Sequence, residues 1–336
     1  MTIQQKVVQL IPGALLSISV TAGAYVAERV EKLIFGKVWL ESLVLAILLG
    51  CFVRTLWSPS RKFVPGIQFG AKTILEVAVV LLGASVSANA IMSKGLLLFS
   101  GIAGVVFITI IASYTIGRIF RLSHRLAILV ACGNSICGNS AIAATAPVIG
   151  ACGEDIASSI AFTAVLGVLI VLILPLLIPL FGFSPLQYGI FAGLTVYAVP
   201  QVLAATEGVA LTSVHIGTIV KLVRVLMLGP VVLILSLING KSNQQRPPLS
   251  QLIPWFINGF LLLMILRSCG WIPSFAIIPV QSLANVLTII SMAALGLGVD
   301  LRSIAKAGFR VLTTAALSLL VLGFLSFWLI RLLNIA

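Results

Sequence analysis

Between Leu96 and Gly117 the chain carries 22 consecutive residues without a charge. A helix rises about 1.5 Å per residue, so a run of roughly 20 apolar residues crosses the hydrocarbon core of a bilayer. Inside that core every backbone N–H and C=O must find a partner in the protein, which leaves helices and closed barrels as the only spanning forms. A run this long exceeds a strand. Apolar runs recur along the rest of the chain, at about 8–27, 39–53, 65–89, 126–149, 156–180, 186–206, 216–238, 252–266, 277–299 and 311–330. The expectation is therefore an all-α polytopic membrane protein with about 11 transmembrane helices.

Composition agrees. Hydrophobic residues make up 60% of the 336 and charged residues only 9%, against roughly 25% charged in a soluble domain. The formal net charge of +13 would suggest nucleic acid in a soluble protein. Here the bases lie mostly between apolar runs, so they report topology, and no nucleic-acid partner is expected. With the N-terminus in the cytoplasm, the inside loops hold Arg54, Arg61, Lys62, Arg118, Arg121, Arg125, Lys241, Arg246, Arg302, Lys306 and Arg310. The outside loops then hold Arg29, Lys32, Lys37, Lys94 and Arg267, and the imbalance favours that orientation. The inside bases could also meet anionic lipid headgroups.

The five cysteines fit no metal spacing, so no metal and no cofactor are expected. The chain has no His-x-x-x-His, no Gly-x-Ser-x-Gly and no Walker A motif, which points away from an enzyme.

The stretch from Cys132 to Gly150, CGNSICGNSAIAATAPVIG, interrupts an apolar run with a tandem Cys-Gly-Asn-Ser unit. It predicts a helix that unwinds between Gly133 and Asn139 at membrane depth, or else a packing face of small residues. In the first reading Asn134, Ser135, Asn139 and Ser140 bind substrate. On a continuous helix the two asparagines would lie about 140° apart, so both reach one cavity only if the helix breaks. Gln201 beside Pro200, and Asn285, are further candidates for substrate binding. Lys221 and Arg224 share a helix face at i,i+3 with no acid in their own run, which predicts a small anion as substrate. Lys72 and Glu76 form an i,i+4 pair within an apolar run and are the candidate coupling groups, for a proton or sodium. The alternative is a carrier of a neutral or cationic solute driven through Glu76. Symmetric pairs are common among oligomers, so a homodimer is expected.

The stretch 132–150 resembles the signature of the YeiH-like family of bacterial inner-membrane proteins, named for sulfate export. FVPGI at 63–67, KLVRVL at 221–226, IPWF at 253–256 and MAALGLGVD at 292–300 carry the likeness over about residues 10–330. The resemblance implies a secondary transporter working by alternating access on sulfate or an organosulfonate. It also implies inverted five-helix repeats with discontinuous helices, as in the bile-acid, arsenite and riboflavin transporters. The domain reading is one transporter domain, with an extra N-terminal helix at 8–27 and repeats at 39–180 and 186–332. Within the sequence, LGASV at 82–86 resembles LGLGV at 295–299, which would pair the run at 65–89 with that at 277–299. The alternative, preferred on mechanism, pairs 126–149 with 277–299, since both contain glycine and could break near the midplane. One departure stands out. Where many relatives have a histidine, this chain has Tyr197, and an alanine there is Pro200, so a group titrating at physiological pH is lost.

Overall fold

The computed structural model describes residues 3–35, 41–57, 59–85, 95–238, 255–299 and 308–333. Among the described residues there are thirteen helices. They are α1 (Ile3–Phe35), α2 (Ser42–Leu56), α3 (Val64–Leu82), α4 (Gly95–Ile119), α5 (His124–Cys137), α6 (Asn139–Ile149) and α7 (Gly153–Phe181). Then come α8 (Pro185–Thr195), α9 (Val199–Thr206), α10 (Leu211–Ile238), α11 (Trp255–Ser268), α12 (Ser274–Gly298) and α13 (Phe309–Leu332).

Seven of these, α1, α3, α4, α7, α10, α12 and α13, are long and apolar enough to cross a membrane. The expectation of eleven spans is corrected: among the described residues, seven helices are fit to span. Helices α2 and α11 have 15 and 14 residues, short of the roughly 20 that span a bilayer. The runs at 126–149 and 186–206 are each broken into two short helices. Hydropathy cannot see such breaks, because a run divided at its middle has the same composition as a continuous one. Helices interrupted as the family resemblance implies are present at 126–149 and 186–206, both in one compact unit. The two runs preferred as repeats differ, since the run at 126–149 breaks at Gly138 whereas α12 is continuous from Ser274 to Gly298. Lys37, Lys94, Lys241, Arg246, Arg302 and Lys306, on which the loop-charge argument partly rests, lie outside the described residues, as does Asp300.

The chain divides into two compact units. The first comprises residues 1–90 and 256–302, so it holds α1, α2, α3, α12 and nearly all of α11. Glycines let its backbones touch. A Cβ on Gly13 would sit 2.1 Å from the Phe63 carbonyl oxygen, and one on Gly66 2.1 Å from that of Leu10, so α1 and α3 cross in direct contact. Gly50 and Gly296 join α2 to α12 in the same way, with a would-be Cβ 2.6 Å from Ala293 O and 2.3 Å from Ile47 O. Without a hydrophobic force between helices in lipid, close packing of this kind is what holds them.

The second unit comprises residues 91–255 and 303–336 and contains α4 to α10 and α13. Helix α4 packs on α13 and α5 through the stripe Leu98, Ile102, Val105, Thr109 and Ser113. Its opposite face, with Ile108, Ile111 and Ile119, is exposed, an exterior suited to acyl chains. Helix α8 packs on α10 through Gly189 and Gly193, where a Cβ would meet Ser213 O at 2.7 Å and Gly217 O at 2.5 Å. That approach sets the polar face of α10 against the end of α8.

Candidate functional site

Two helices of the second unit break. The first starts cleanly, Ser123 capping α5 by accepting the Leu126 N–H at 3.1 Å. At Gly133–Cys137 its turns widen to a π-helix, closed by Gly138 N–H to Gly133 O at 2.8 Å. Gly138 then takes φ 67° and ψ −124°, a conformation that only glycine adopts without strain. Helix α6 begins immediately after, at Asn139, and ends in a left-handed cap at Gly150. The sequence led us to expect uncoiling between Gly133 and Asn139. The chain instead keeps a wide turn as far as Cys137 and breaks sharply at one residue.

The second break lies between α8 and α9. Ser184 and Gln187 form a capping box that starts α8. At its far end Val196 and Ala198 are extended, with φ −73°, ψ 147° and φ −114°, ψ 149°. Pro200 sits in the first turn of α9, where its missing N–H costs nothing. A helix running on through Pro200 would lose the bond to Val196 O and clash with that carbonyl. The two breaks meet: a Cβ on Gly138 would lie 3.3 Å from that of Tyr197.

Each break frees carbonyls, and two buried cations take them. Arg224 Nε donates to Ser135 O at 3.2 Å, and Nη2 to Asn134 O at 3.2 Å and Ser135 O at 2.9 Å. Nη1 donates to Gly193 O and Val196 O, each at 3.1 Å. These are five bonds, as many as a guanidinium has N–H groups. Lys221 Nζ donates to Ile136 O at 2.7 Å and Val196 O at 2.8 Å. Both side chains are 0% exposed, and no carboxylate is among their hydrogen-bond partners. The cations thus sit on the partially negative ends of two helices, where positive charge is favoured.

Donors gather at the crossing as well, and two buried side chains there, Asn134 and Ser135, keep one without a partner. Helices α6 and α9 start here, and the first N–H groups of a helix have no partner within it. Asn134 is fully buried. Its Oδ1 accepts from the Tyr197 hydroxyl at 2.8 Å, while its Nδ2 has no partner. The buried Ser135 hydroxyl has none either. Asn139 faces α7, its Oδ1 accepting from Thr163 Oγ1. Asn139 and Ser140 are exposed at the start of α6. Gln201 turns back on its own helix, Oε1 accepting the Ala198 N–H at 3.1 Å, and so caps α9. Its amide lies against Gly167, where a Cβ would be only 2.5 Å from Nε2.

The crossing therefore gathers Asn134, Ser135, Asn139, Ser140, Gln201, Lys221 and Arg224 on one unit. The other candidates belong to the first unit. Asn285 is half-buried on α12, Glu76 is half-buried on α3, and Lys72 is exposed in a π-helical turn, Gly70–Ile74. Sequence reasoning flagged Tyr197 only as a departure from a pattern, although a phenol three residues before a proline in an apolar run was a usable signal. Thr163 was missed, and nothing in its surroundings marks it. No groups of His, Cys, Asp and Glu able to hold a metal ion occur among the described residues.

Comparison with known proteins places these features in context. Residues 12–315 match the family model described as conserved hypothetical protein 698. A UPF0324 membrane protein of Brucella melitensis biotype 1 is 59% identical over 332 residues, covering 98% of this chain and 93% of the relative. One from Bartonella henselae is 55% identical over 321 residues, covering 96% and 92%. One from Oceanobacillus iheyensis is 35% identical over 285 residues, covering 83% and 84%. These relatives are named as membrane proteins, and they are bacterial.

Proposed function

This chain belongs to the family of conserved hypothetical protein 698, the UPF0324 membrane proteins of bacteria, and from that premise we propose that it is a secondary carrier of a small anion. It is a multi-pass protein of the bacterial inner membrane, with seven helices fit to span it. The observation that carries the anion reading is a balance of hydrogen-bonding groups. At the crossing of the broken helices the freed carbonyls are taken up by Lys221 and Arg224. Asn134 Nδ2 and the Ser135 hydroxyl there have no partner, and a helix N-terminus favours negative charge. An occupant must accept hydrogen bonds and gains from the two uncompensated cations.

In this reading Asn134, Ser135, Asn139 and Ser140 line the substrate site, and Gln201 holds the start of α9. Lys221 and Arg224 act on the substrate through their field while bracing the two helix ends. Sulfate or an organosulfonate is the occupant suggested by the likeness to the sulfate-export family. Alternating access would carry it across, with the N-terminus in the cytoplasm and the protein as a homodimer. A coupling ion, proton or sodium, would act at Glu76, with Lys72 one turn away.

A second reading has a specific support. The π-helical turn Gly70–Ile74 ends two residues before Glu76, and such turns recur at functional sites. It makes Glu76 the coupling carboxylate for a neutral or cationic solute. Reconstituted vesicles separate the two. Counterflow of labelled sulfate or a sulfonate, saturating with concentration, is the expected result. Counterflow of a cation or neutral solute without any anion effect would favour the second reading, and a unitary ionic current would refute a carrier.

A further inference from the structure

We propose that α5–α6 and α8–α9 are re-entrant hairpins that enter the membrane from opposite faces and act as its two gates, held tip to tip by Lys221 and Arg224. The gates rest on the carrier reading; the hairpins do not.

Each broken run turns back on itself. A Cβ on Gly133 would lie 3.0 Å from the Ile142 side chain, and one on Gly150 would lie 4.0 Å from Arg125 Nη2. Both pairs are placed evenly about Gly138. On a helix rising about 1.5 Å per residue, Arg125 and Gly150 would be about 37 Å apart, far beyond the reach of an arginine. The other run behaves alike. The Tyr188 hydroxyl, early in α8, donates to Ala205 O, near the end of α9, at 2.6 Å. A continuous helix would separate these residues by about 25 Å. Each run therefore begins and ends on one face, with its break as the tip.

Helix α10 fixes which face. It is long enough to cross. Its residues 211–226 pack on α8 and α9, and its residues 228–238 pack on α6. Gly189 meets Ser213 and Gly193 meets Gly217, so α8 runs parallel to α10. The α8–α9 hairpin thus opens toward the start of α10, and the α5–α6 hairpin toward its end. Helix α7 joins the two and is also long enough to cross. Arg118, Arg121 and Arg125 then share a face with Glu154 and Asp155.

The two tips share their ties. Arg224 bonds Asn134 O and Ser135 O of one hairpin and Gly193 O and Val196 O of the other. Lys221 bonds Ile136 O of the first and Val196 O of the second. Backbone freed at membrane depth must be satisfied by the protein, and these cations do that for both tips at once. The same arrangement closes the crossing, where Asn134 and Ser135 are 0% exposed and Tyr197 2%. A solute reaches them only when a tip withdraws. Because each cation holds both tips, one hairpin can withdraw toward its own face while the other keeps its bonds. Withdrawal by turns gives access from each face by turns.

The test labels cysteines with an impermeant maleimide in right-side-out and inside-out vesicles carrying the full-length protein, read by peptide mass spectrometry. Native Cys152 and His124→Cys mark the two ends of the first hairpin, and Pro185→Cys and Thr212→Cys those of the second. All four positions are exposed. Positions 124 and 152 should react from one face, and positions 185 and 212 from the other. Ends of one hairpin reacting from different faces, or all four from the same face, overturn the hairpins and the gates together. Buried Cys137, at the tip of the first hairpin, tests the gates in wild type. It should react from both faces, more slowly than Cys152. Reaction from one face or from neither overturns the gates and leaves the hairpins standing. Absence of solute counterflow overturns the carrier reading and the gates with it, and the four-position pattern still decides the hairpins.

Discussion

At the scale of single residues, Arg224 shows how a buried charge can be held without a counter-charge. An isolated ion in a low-dielectric interior costs far more than a fold can tolerate. Five hydrogen bonds to the carbonyls of Asn134, Ser135, Gly193 and Val196 offset that cost, and those carbonyls would otherwise be orphans. Replacing Arg224 by methionine preserves much of the volume but strands Asn134 O, Ser135 O and Gly193 O, since Val196 O keeps Lys221. Each stranded group should cost about 1–3 kcal/mol, so the variant should unfold at a markedly lower temperature in detergent. Arg224→Lys should fall between the two, because an ammonium restores charge but not the planar fork. A thermal midpoint for Arg224→Met equal to wild type would show that these bonds do not hold the crossing together.

At the scale of elements, the breaks are the organising feature, and they were partly legible. The tandem Gly-Asn-Ser unit marked its segment as interrupted, and Pro200, a proline inside an apolar run, is the corresponding signal in the other. The i,i+3 pairing of Lys221 and Arg224 was also readable. What those cations touch was not, because their partners are main-chain oxygens made available by Gly138 and Pro200, and every residue type has a main-chain oxygen. Two apolar runs with breaks at their middles, and two others too short, also explain why a count from hydropathy gave eleven spans where seven helices qualify. Gly138 is the position where the element argument can be tested. A side chain there must adopt φ near 67° and meet Tyr197, so Gly138→Ala should cost about 1–3 kcal/mol of stability. It should also weaken anion binding, since the start of α6 would move. An alanine variant with wild-type stability would mean that the break does not depend on the glycine.

At the scale of the whole molecule, the candidate residues divide between two units. The first, joined by the Gly13–Gly66 and Gly50–Gly296 contacts, carries Lys72, Glu76 and Asn285. The second carries both broken helices, the two buried cations and the unspent donors. A carrier needs a place where substrate is held and groups that can couple its movement, and this division supplies a candidate for each. The central claim is that the anion sits on the amides at the starts of α6 and α9, while Lys221 and Arg224 stay on the carbonyls. Anomalous diffraction from crystals grown with selenate tests it most directly. The expected result is a selenium peak whose oxygens lie about 3 Å from the N–H groups at the start of α6, beside Asn134 Nδ2, with the Arg224 bonds intact. A peak bound instead by the Arg224 guanidinium, drawn away from Ser135 O and Gly193 O, would contradict it.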